Sequence, residues 1–103
     1  MSSSANNLTR PLAIDVAVSA DTLSVLLDDG RTISVPLSWY PRLAEGTASE
    51  RSSWELNGAG RGIHWPELDE DISVQALLDG HRSNETESSL DKWRADRRVR
   101  GPS

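Results

Sequence analysis

Residues 62–78, GIHWPELDEDISVQALL, decide much of the fold. The segment begins with an alternating stretch, GIHW, that predicts a short strand. Pro66 ends that strand, because proline cannot donate a hydrogen bond to a ladder. Ser73 then predicts the start of a helix, since a serine side chain can accept a hydrogen bond from the first helical turn. A strand and a capped helix this close together predict a fold that mixes α and β structure.

Three apolar stretches precede this segment, and each alternates with polar residues as a strand with one buried side does. The second and third stretches flank residues 28–30, DDG. A two-residue loop would set Val25 opposite Ser34 and bring polar residues onto the apolar face. A three-residue loop sets Val25 opposite Ile33, so we predict that loop, with Gly30 at the positive-φ position. The alternating residues are Ile14, Val16 and Val18, then Leu23, Val25 and Leu27, then Ile33, Val35 and Leu37.

The middle of the chain predicts short helices and a second hairpin. Thr47 and Glu50 form a capping box, T-x-x-E, which opens a short helix. The glycine-rich loop 58–61 separates two short strand patterns, residues 54–57 and 62–65. Strands joined by short connections indicate an α+β fold with a small, mostly antiparallel sheet. That sheet has three N-terminal strands plus a later short hairpin, and the fold adds short helices and a C-terminal helical tail.

The organisation of the chain follows from where its apolar residues occur. Residues 1–11 form a predicted disordered N-terminus, residues 12–80 an α+β domain, and residues 81–103 a linker and a basic C-terminal helical tail. A domain this small buries only about 60% of its unfolded surface, so we expect self-association or a protein partner. The first ten residues contain no apolar run, so we expect no signal peptide and no membrane contact.

Charge divides the chain at the same place. Residues 1–80 contain five arginines and twelve acids, a net charge of −7, whereas residues 81–103 contain six basic residues and four acids, a net charge of +2. An acidic body repels phosphate backbones, so nucleic-acid binding could start only on the tail. There is no cysteine, which excludes disulfides and thiol chemistry and fits a cytoplasmic protein.

The tail has the pattern of a helix with few apolar residues. Ser88 and Asp91 form a capping pattern, S-x-x-D, that predicts a helix from Ser89 to about Arg98. Two large apolar residues on one side are enough to dock on a partner but too few to fold alone. The residues that we predict to bind a partner are Leu90, Trp93, Arg94, Arg97 and Arg98.

Three blocks of the sequence resemble the bacterial domain-of-unknown-function family 2442. They are LLDDGRTISVPLSWYPRL, ERSSWELNGAGRGIHWPELDEDISVQALLDG and SSLDKWRADRR, within residues 12–98. The resemblance implies a small α+β fold in a prokaryotic protein. It also implies a gene encoded beside that of a second small protein, in an arrangement similar to toxin–antitoxin pairs. It implies no catalytic residues.

His64 and the acids that follow it are the main candidates for a chemical site. A metal site or an acid–base pair could combine His64 with Glu67, Asp69, Glu70 and Asp71. Strand alternation places His64 opposite its apolar neighbours, and the second histidine lies in the linker, so a transition-metal ligand set is incomplete. EF-hand spacing is absent, and the acids suit the positive end of the helix that follows. We predict a surface or hydrogen-bonded structural His64, with no metal and no cofactor.

Two further features have a structural and a functional interpretation. Gly58-x-Gly60-x-Gly62 resembles a phosphate loop, but a strand follows it where a dinucleotide fingerprint has a helix, so we predict a hairpin. The four tryptophans could stack nucleobases, but the acidic body favours packing in the core or an interface.

These patterns predict a non-catalytic protein-interaction module. In its specific form, the hypothesis is an antitoxin-like partner of a second small protein, bound through aromatic and arginine anchors. The alternative is a nucleic-acid-binding regulator, whose affinity would fall steeply with salt. A small enzyme that uses His64 is a third class. The regulator would use the tail residues Lys92, Arg94, Arg97, Arg98 and Arg100.

Overall fold

The computed structural model describes residues 10–100, so all but the last two residues of the predicted disordered N-terminus, residues 1–11, lie outside the described residues. Two three-stranded antiparallel sheets and short helices form an α+β fold, as the sequence predicts. The first sheet has the order β1 (Ala13–Val18), β2 (Thr22–Leu27) and β3 (Thr32–Pro36). The second has the order β4 (Glu55–Asn57), β5 (Gly62–Trp65) and β6 (Glu70–Ser73). The helices are α1 (Pro41–Ala44), α2 (Ala48–Ser52), α3 (Val74–Leu78) and α4 (Glu87–Arg100), with 3-10 turns at Leu37–Trp39 and Gly58–Gly60.

The β2–β3 hairpin has the predicted register. Val25 is paired with Ile33, and Leu23 with Val35. Gly30 has a φ of 95°, and its amide donates to the carbonyl oxygen of Leu27 at 3.1 Å. The three-residue loop is therefore confirmed, and it places every inward apolar residue of the hairpin on one face.

The first strand departs from the predicted alternation at its start. A β-bulge lies between Ala13 and Asp15, and the Asp15 carboxylate accepts a hydrogen bond of 2.9 Å from the amide of Val16. Ala13 is buried, whereas Ile14 is 54% exposed. The prediction that Ile14 shares the buried face with Val16 is wrong, because the extra residue of a bulge turns it outward.

The second sheet contains a strand that the sequence did not predict. Glu70–Ser73 pairs with β5, and Ile72 lies opposite the fully buried Ile63. Two of the acids assigned to the start of a helix therefore belong to a strand. The helix itself begins at Val74, where the Ser73 hydroxyl accepts from the amide of Ala76 at 3.2 Å, so the predicted N-cap is confirmed.

The capping box that opens α2 is also confirmed. The Glu50 amide donates to the Thr47 hydroxyl at 3.1 Å, and the Thr47 amide donates to the Glu50 carboxylate at 2.8 Å. These two bonds satisfy amides that the first helical turn leaves without a partner.

The helix of the tail begins earlier than predicted. The Thr86 hydroxyl accepts from the Ser89 amide at 3.1 Å, and the Leu90 amide donates to the Thr86 carbonyl at 2.9 Å. Thr86 is thus the N-cap, and the prediction of Ser88 is wrong.

One hydrophobic core joins both sheets and the tail helix. The division predicted at residue 80 does not follow this core, because two residues of α4 belong to it. The buried members are Ala13, Val16, Leu23, Val25, Leu27, Val35, Leu37, Tyr40, Leu43, Ile63, Trp65, Leu68, Ile72, Val74, Leu77, Leu90 and Trp93. In the described part of the chain, no helix is long and apolar enough to cross a membrane.

Candidate functional site

Helix α4 is fixed to the body by the two apolar residues that the sequence singled out. Leu90 and Trp93 are only 4% and 7% exposed. The indole Nε1 of Trp93 donates to the backbone carbonyl oxygen of Leu68 at 2.9 Å. A buried indole N–H is costly unless it finds an acceptor, so this bond sets where the helix lies.

Two arginines of α4 form ion pairs with glutamates of the body. Arg94 donates from Nε to both carboxylate oxygens of Glu45 at 2.8 and 3.0 Å. Arg97 donates to Glu50 at 2.9 and 3.1 Å, and its guanidinium lies 4.7 Å from the centroid of the Trp93 ring. These hydrogen bonds are the main reason that the pKa values of Glu45 and Glu50 lie below their ordinary value.

The five residues predicted to bind a partner therefore differ in their surroundings. Arg98 is exposed, whereas Leu90, Trp93, Arg94 and Arg97 contact the body of the same chain. A partner could reach Leu90 and Trp93 only by displacing α4, whereas Arg94 and Arg97 are partly exposed. Their role in binding stays a prediction.

Arg42 on α1 connects three parts of the molecule. Its Nε and Nη2 donate to the Glu85 carboxylate at 2.7 and 3.0 Å, and its Nη1 donates to the Asp69 carbonyl oxygen at 2.8 Å. The guanidinium carbon lies 5.6 Å from the centroid of the Trp93 ring. Burial alone would raise the pKa of Glu85, but hydrogen bonds from Arg42 and Ser89 together lower it. This cluster cross-links α1, the linker before α4 and the loop before β6.

Glu70 is an acid on the inner side of the second sheet. It lies opposite the fully buried Trp65, and directly opposite residues of a sheet share one face. Burial raises the pKa of Glu70 to about 7, Arg42 acts in the opposite direction, and the neighbouring carboxylate of Glu85 adds to the rise. Glu70 can therefore take up a proton near neutral pH. Raised carboxylate pKa values occur in acid–base sites and in structural clusters alike.

His64 lies in a row of polar side chains on the outer side of the second sheet. It is paired with Glu55 on one side and with Asp71 on the other. Its Nδ1 is 2.8 Å from a carboxylate oxygen of Asp71, so His64 is hydrogen-bonded as predicted, and its structural role stays a prediction. Within residues 10–100, no group of three or more His, Cys, Asp or Glu residues is arranged to hold a metal ion.

The glycine-rich loop supports packing between the two sheets. Gly60 is buried with a φ of 101°, and a Cβ there would lie 2.5 Å from the carbonyl oxygen of Ala13. Only glycine fits this close approach. The loop is followed by β5, as predicted for a hairpin. Trp39, Trp54 and Trp65 are in the core or packed against it, as predicted, and Trp93, predicted to bind a partner, is in the core as well.

The outer face of the first sheet is the surface that sequence analysis missed. Leu26 lies between Asp15 and Thr32 across the strands and is 37% exposed, close to the exposed Ile14. The next row consists of Ala17, Ser24 and Ser34. The signal was present in the sequence, because a leucine at position 26 breaks the polar half of the alternation. The outer face comprises Ile14, Asp15, Ala17, Thr22, Ser24, Leu26, Thr32, Ser34 and Pro36.

This outer face is almost free of charge, although the chain as a whole has a net charge of −5. Asp15 is its one ionisable residue, and its carboxylate accepts a hydrogen bond from the backbone. The hydroxyl groups of Ser24 and Ser34 bond to each other at 2.9 Å. Charged residues lie at the two ends, with Asp21 beside one end and the Asp29–Arg31 pair at the other. An uncharged centre with a polar rim is typical of protein interfaces.

A comparison with models of protein families identifies the family of this chain. A family model described as "Protein of unknown function (DUF2442)" matches residues 13–83. The chain belongs to the DUF2442 family. The matched segment of this DUF2442 protein includes both sheets and α3, and it ends before α4 begins at Glu87. The block SSLDKWRADRR, which also resembled the family, lies outside the match.

Two solved structures resemble this DUF2442 protein. The crystal structure of a protein of unknown function from Rhodospirillum rubrum is 27% identical, with a TM-score of 0.64, and the match covers 78% of this chain and 96% of that one. The solution structure of an uncharacterised protein from Chromobacterium violaceum is 17% identical, with a TM-score of 0.62, over 87% of this chain and 82% of that one. The second likeness concerns the fold alone. No curated protein matches the DUF2442 chain.

Proposed function

We propose that this DUF2442 protein is a non-catalytic interaction module that binds another folded protein through the outer face of its first sheet. The observation that carries the proposal is the contrast between this face and the rest of the surface. The face has one ionisable residue among nine, in a chain of which 26% is charged. Flat, uncharged β surfaces with exposed apolar side chains favour contact with another protein.

The charged side chains support the non-catalytic part of the proposal. Arg42, Arg94 and Arg97 are each bonded to a carboxylate of the same chain. His64 is bonded to Asp71, whose side chain is 68% exposed. A general base works best in a site that excludes water, and the exposed Asp71 leaves this pair in contact with water.

The proposal includes a specific form. In that form the partner is the second small protein implied by the genomic setting of the family, and the chain acts in an antitoxin-like manner by stoichiometric binding. The chemistry of the face requires that such a partner present an uncharged surface of its own, with an apolar residue that contacts Leu26.

The nucleic-acid alternative receives less support from the geometry. Arg94 and Arg97 are directed to Glu45 and Glu50 of the body, so phosphate groups would have to displace carboxylates. The exposed Arg98 lies on the same side of α4 as the exposed acid Asp91, which is seven residues earlier in the helix. Phosphate binding favours surfaces on which basic groups are not interrupted by acids.

Affinity capture from the native host with point variants tests the proposed function. Leu26→Glu puts a charge on the outer face, whereas Leu56→Glu changes a leucine that is equally exposed, at 37%, on the second sheet. We expect wild type and Leu56→Glu to retain the same partner, identified by mass spectrometry, and Leu26→Glu to lose it. Thermal melts confirm that each variant is folded. The proposal is contradicted if Leu56→Glu alone loses the partner, or if Leu26→Glu retains it.

A further inference from the structure

We propose that α4 is a pH-sensitive strap, which opens from the body as a unit, and that a negative charge on Glu70 favours this opening. In the open form, Leu90 and Trp93 leave the core while both sheets keep their structure. The outer face of the first sheet takes no part in the opening, so the device is additional to the proposed function. Two observations support it, the few points at which α4 is attached and the charges that surround Glu70.

Helix α4 is attached to the body at few points. Of residues 87–99, only Leu90 and Trp93 are buried. The two ion pairs that join the helix to the body are partly exposed to water, and exposed pairs add little stability. The helix also follows residues 13–83, which match the family and contain both sheets. A segment with so few buried contacts opens at a lower cost in free energy than the central strands do.

The turn before β6 receives the main polar contact from α4. The carbonyl oxygen of Leu68 accepts from the Trp93 indole at 2.9 Å, and that of Asp69 accepts from Arg42 Nη1 at 2.8 Å. Asp69 has a φ of 53°, a conformation that residues other than glycine adopt at a cost. Backbone in such a conformation persists only where its surroundings hold it. Loss of the Trp93 bond on opening therefore loosens the turn that leads directly into Glu70.

Arg42 is the only cation among the charged groups that face Glu70 in the described part of the chain. Its three guanidinium nitrogens are already engaged, with Nε and Nη2 on the Glu85 carboxylate and Nη1 on the Asp69 carbonyl oxygen. Glu85 belongs to the linker that leads into α4. An ionised Glu70 therefore repels Glu85 and competes with it for Arg42. The ionisable groups that face Glu70 are Arg42 on α1, Tyr40 just before α1, Glu85 in the linker, and the chain neighbours Asp69 and Asp71.

Opening of α4 changes the affinity of Glu70 for a proton. In the closed form, burial raises the pKa of Glu70 from 4.5 to about 7, Arg42 opposes the rise, and the charge of Glu85 adds to it. Opening moves Glu85 away and removes the Trp93 ring, whose centroid is 5.6 Å from the guanidinium carbon of Arg42. Water then reaches the cluster, and the pKa of Glu70 falls towards its ordinary value. The closed form thus binds the extra proton, and it loses this advantage as pH rises through about 7.

A rise in pH should therefore make buried residues of α4 accessible. Leu90 and Trp93, which the sequence predicts to bind a partner, are 4% and 7% exposed in the closed form. They reach the surface only when α4 opens. The device links the accessibility of these two residues to pH near neutrality.

Amide hydrogen exchange of the full chain at about pH 6 and about pH 8 tests the inference. Exchange rates are expressed as protection factors, relative to an unstructured chain at the same pH, so the direct effect of pH on exchange cancels. Amides in the middle of α4 should be less protected than amides of β2 at both pH values, because α4 opens without the sheets. Their protection should fall by about five- to tenfold between the two pH values, since opening releases a proton from Glu70 over this range.

Neutral variants separate Glu70 from the other acids. Glu70→Gln should give α4 the same protection at both pH values, equal to that of wild type at the lower one. Glu67→Gln removes a nearby acid at an exposed position and should behave like wild type. Glu85→Gln weakens the contact with Arg42 and removes the repulsion, so it should lower the protection of α4 at both pH values and reduce the difference between them. This variant keeps the test decisive if Glu70→Gln does not fold.

Each of three results would overturn the inference. In the first, α4 exchanges as slowly as β2, because it then opens only when the whole chain unfolds. In the second, the protection of α4 in wild type is the same at both pH values. In the third, the pH effect is undiminished in Glu70→Gln, or in Glu85→Gln where Glu70→Gln is not folded.

Discussion

The indole N–H of Trp93 donates to the backbone carbonyl oxygen of Leu68 at 2.9 Å, and it joins residues that are 25 positions apart. Leu68 itself is fully buried, and Trp93 is 7% exposed. This relationship makes α4 part of the hydrophobic core, although the helix follows the segment that matches the family. The surface that the proposed function assigns to a partner is therefore the open face of the first sheet and not α4.

Substitutions at Trp93 should measure how much the core depends on α4. Trp93→Phe keeps most of the ring but leaves the Leu68 carbonyl without its donor, which costs about 1–3 kcal/mol of unfolding free energy. Trp93→Ala also creates a cavity and should cost about 3–5 kcal/mol. Urea denaturation followed by circular dichroism gives both values. If Trp93→Ala unfolds at the urea concentration of wild type, α4 is not part of the core.

Two arginine–glutamate pairs should differ in strength because they differ in burial. The side chains of Arg42 and Glu85 are 16% and 7% exposed, whereas those of Arg94 and Glu45 are both 35% exposed. Arg42→Ala should cost about 2–4 kcal/mol, because it leaves a carboxylate in a desolvated position. Arg94→Ala should cost less than Arg42→Ala, because water screens the more exposed pair. Double-mutant cycles with Glu85→Ala and Glu45→Ala measure each coupling, and equal coupling energies would contradict the account.

Glu70 should make stability fall as pH rises. Its pKa is about 7 in the folded protein against an ordinary value of 4.5. The folded state therefore binds the extra proton between these values, and this contribution is complete below pH 4.5 and is lost as pH rises through about 7. Each pKa unit corresponds to about 1.4 kcal/mol. Residual solvent contact of Glu70 reduces the full effect, so we expect the free energy of unfolding to fall by about 1–2 kcal/mol over this pH range.

The Glu70 prediction is measured with a neutral variant. Glu70→Gln should be more stable than wild type at pH 8, and the difference should shrink towards pH 4.5. Comparison of the two proteins separates Glu70 from Glu45, Glu50 and Glu85, whose pKa values are lowered. Glu67→Gln, at an exposed position, is the matched control and should follow wild type. A Glu70→Gln protein that is less stable than wild type at pH 8 would disprove the assignment.

Gly30 should be replaceable only at a conformational cost. Its φ is 95°, and a Cβ at this position would meet no atom within 4 Å, so crowding plays no part. Gly30→Ala should destabilise the protein by about 1 kcal/mol, because an L residue disfavours this backbone region. Asparagine tolerates positive φ better, so Gly30→Asn should cost less than Gly30→Ala. A higher melting temperature for Gly30→Ala than for Gly30→Asn would contradict this explanation.

The parts of the fold that sequence reasoning predicted depend on local interactions. The β2–β3 register follows from matching apolar positions across a loop of fixed length. The capping box of Thr47 and Glu50 needs only residues three positions apart. Both can be read from a few neighbouring residues, and both are confirmed.

The parts that it missed depend on contacts between distant segments. Ile14 faces outward because of a bulge, and alternation alone gives no sign of a bulge. The acids of β6 form a strand because β5 offers a pairing edge, which outweighs their weak intrinsic preference for strands. Leu26 alone marks the outer face in the sequence, and the extent of that face depends on rows that combine residues of three strands.

Site-specific photo-crosslinking in the native host tests most directly that the outer face of the first sheet is the binding surface. A photoreactive amino acid is placed at position 26 on that face, at position 56 on the second sheet, or at position 98 on α4. The account predicts a specific crosslinked product from position 26, to another protein of the host, and none from positions 56 and 98. Products from position 56 or 98, with none from position 26, would contradict it.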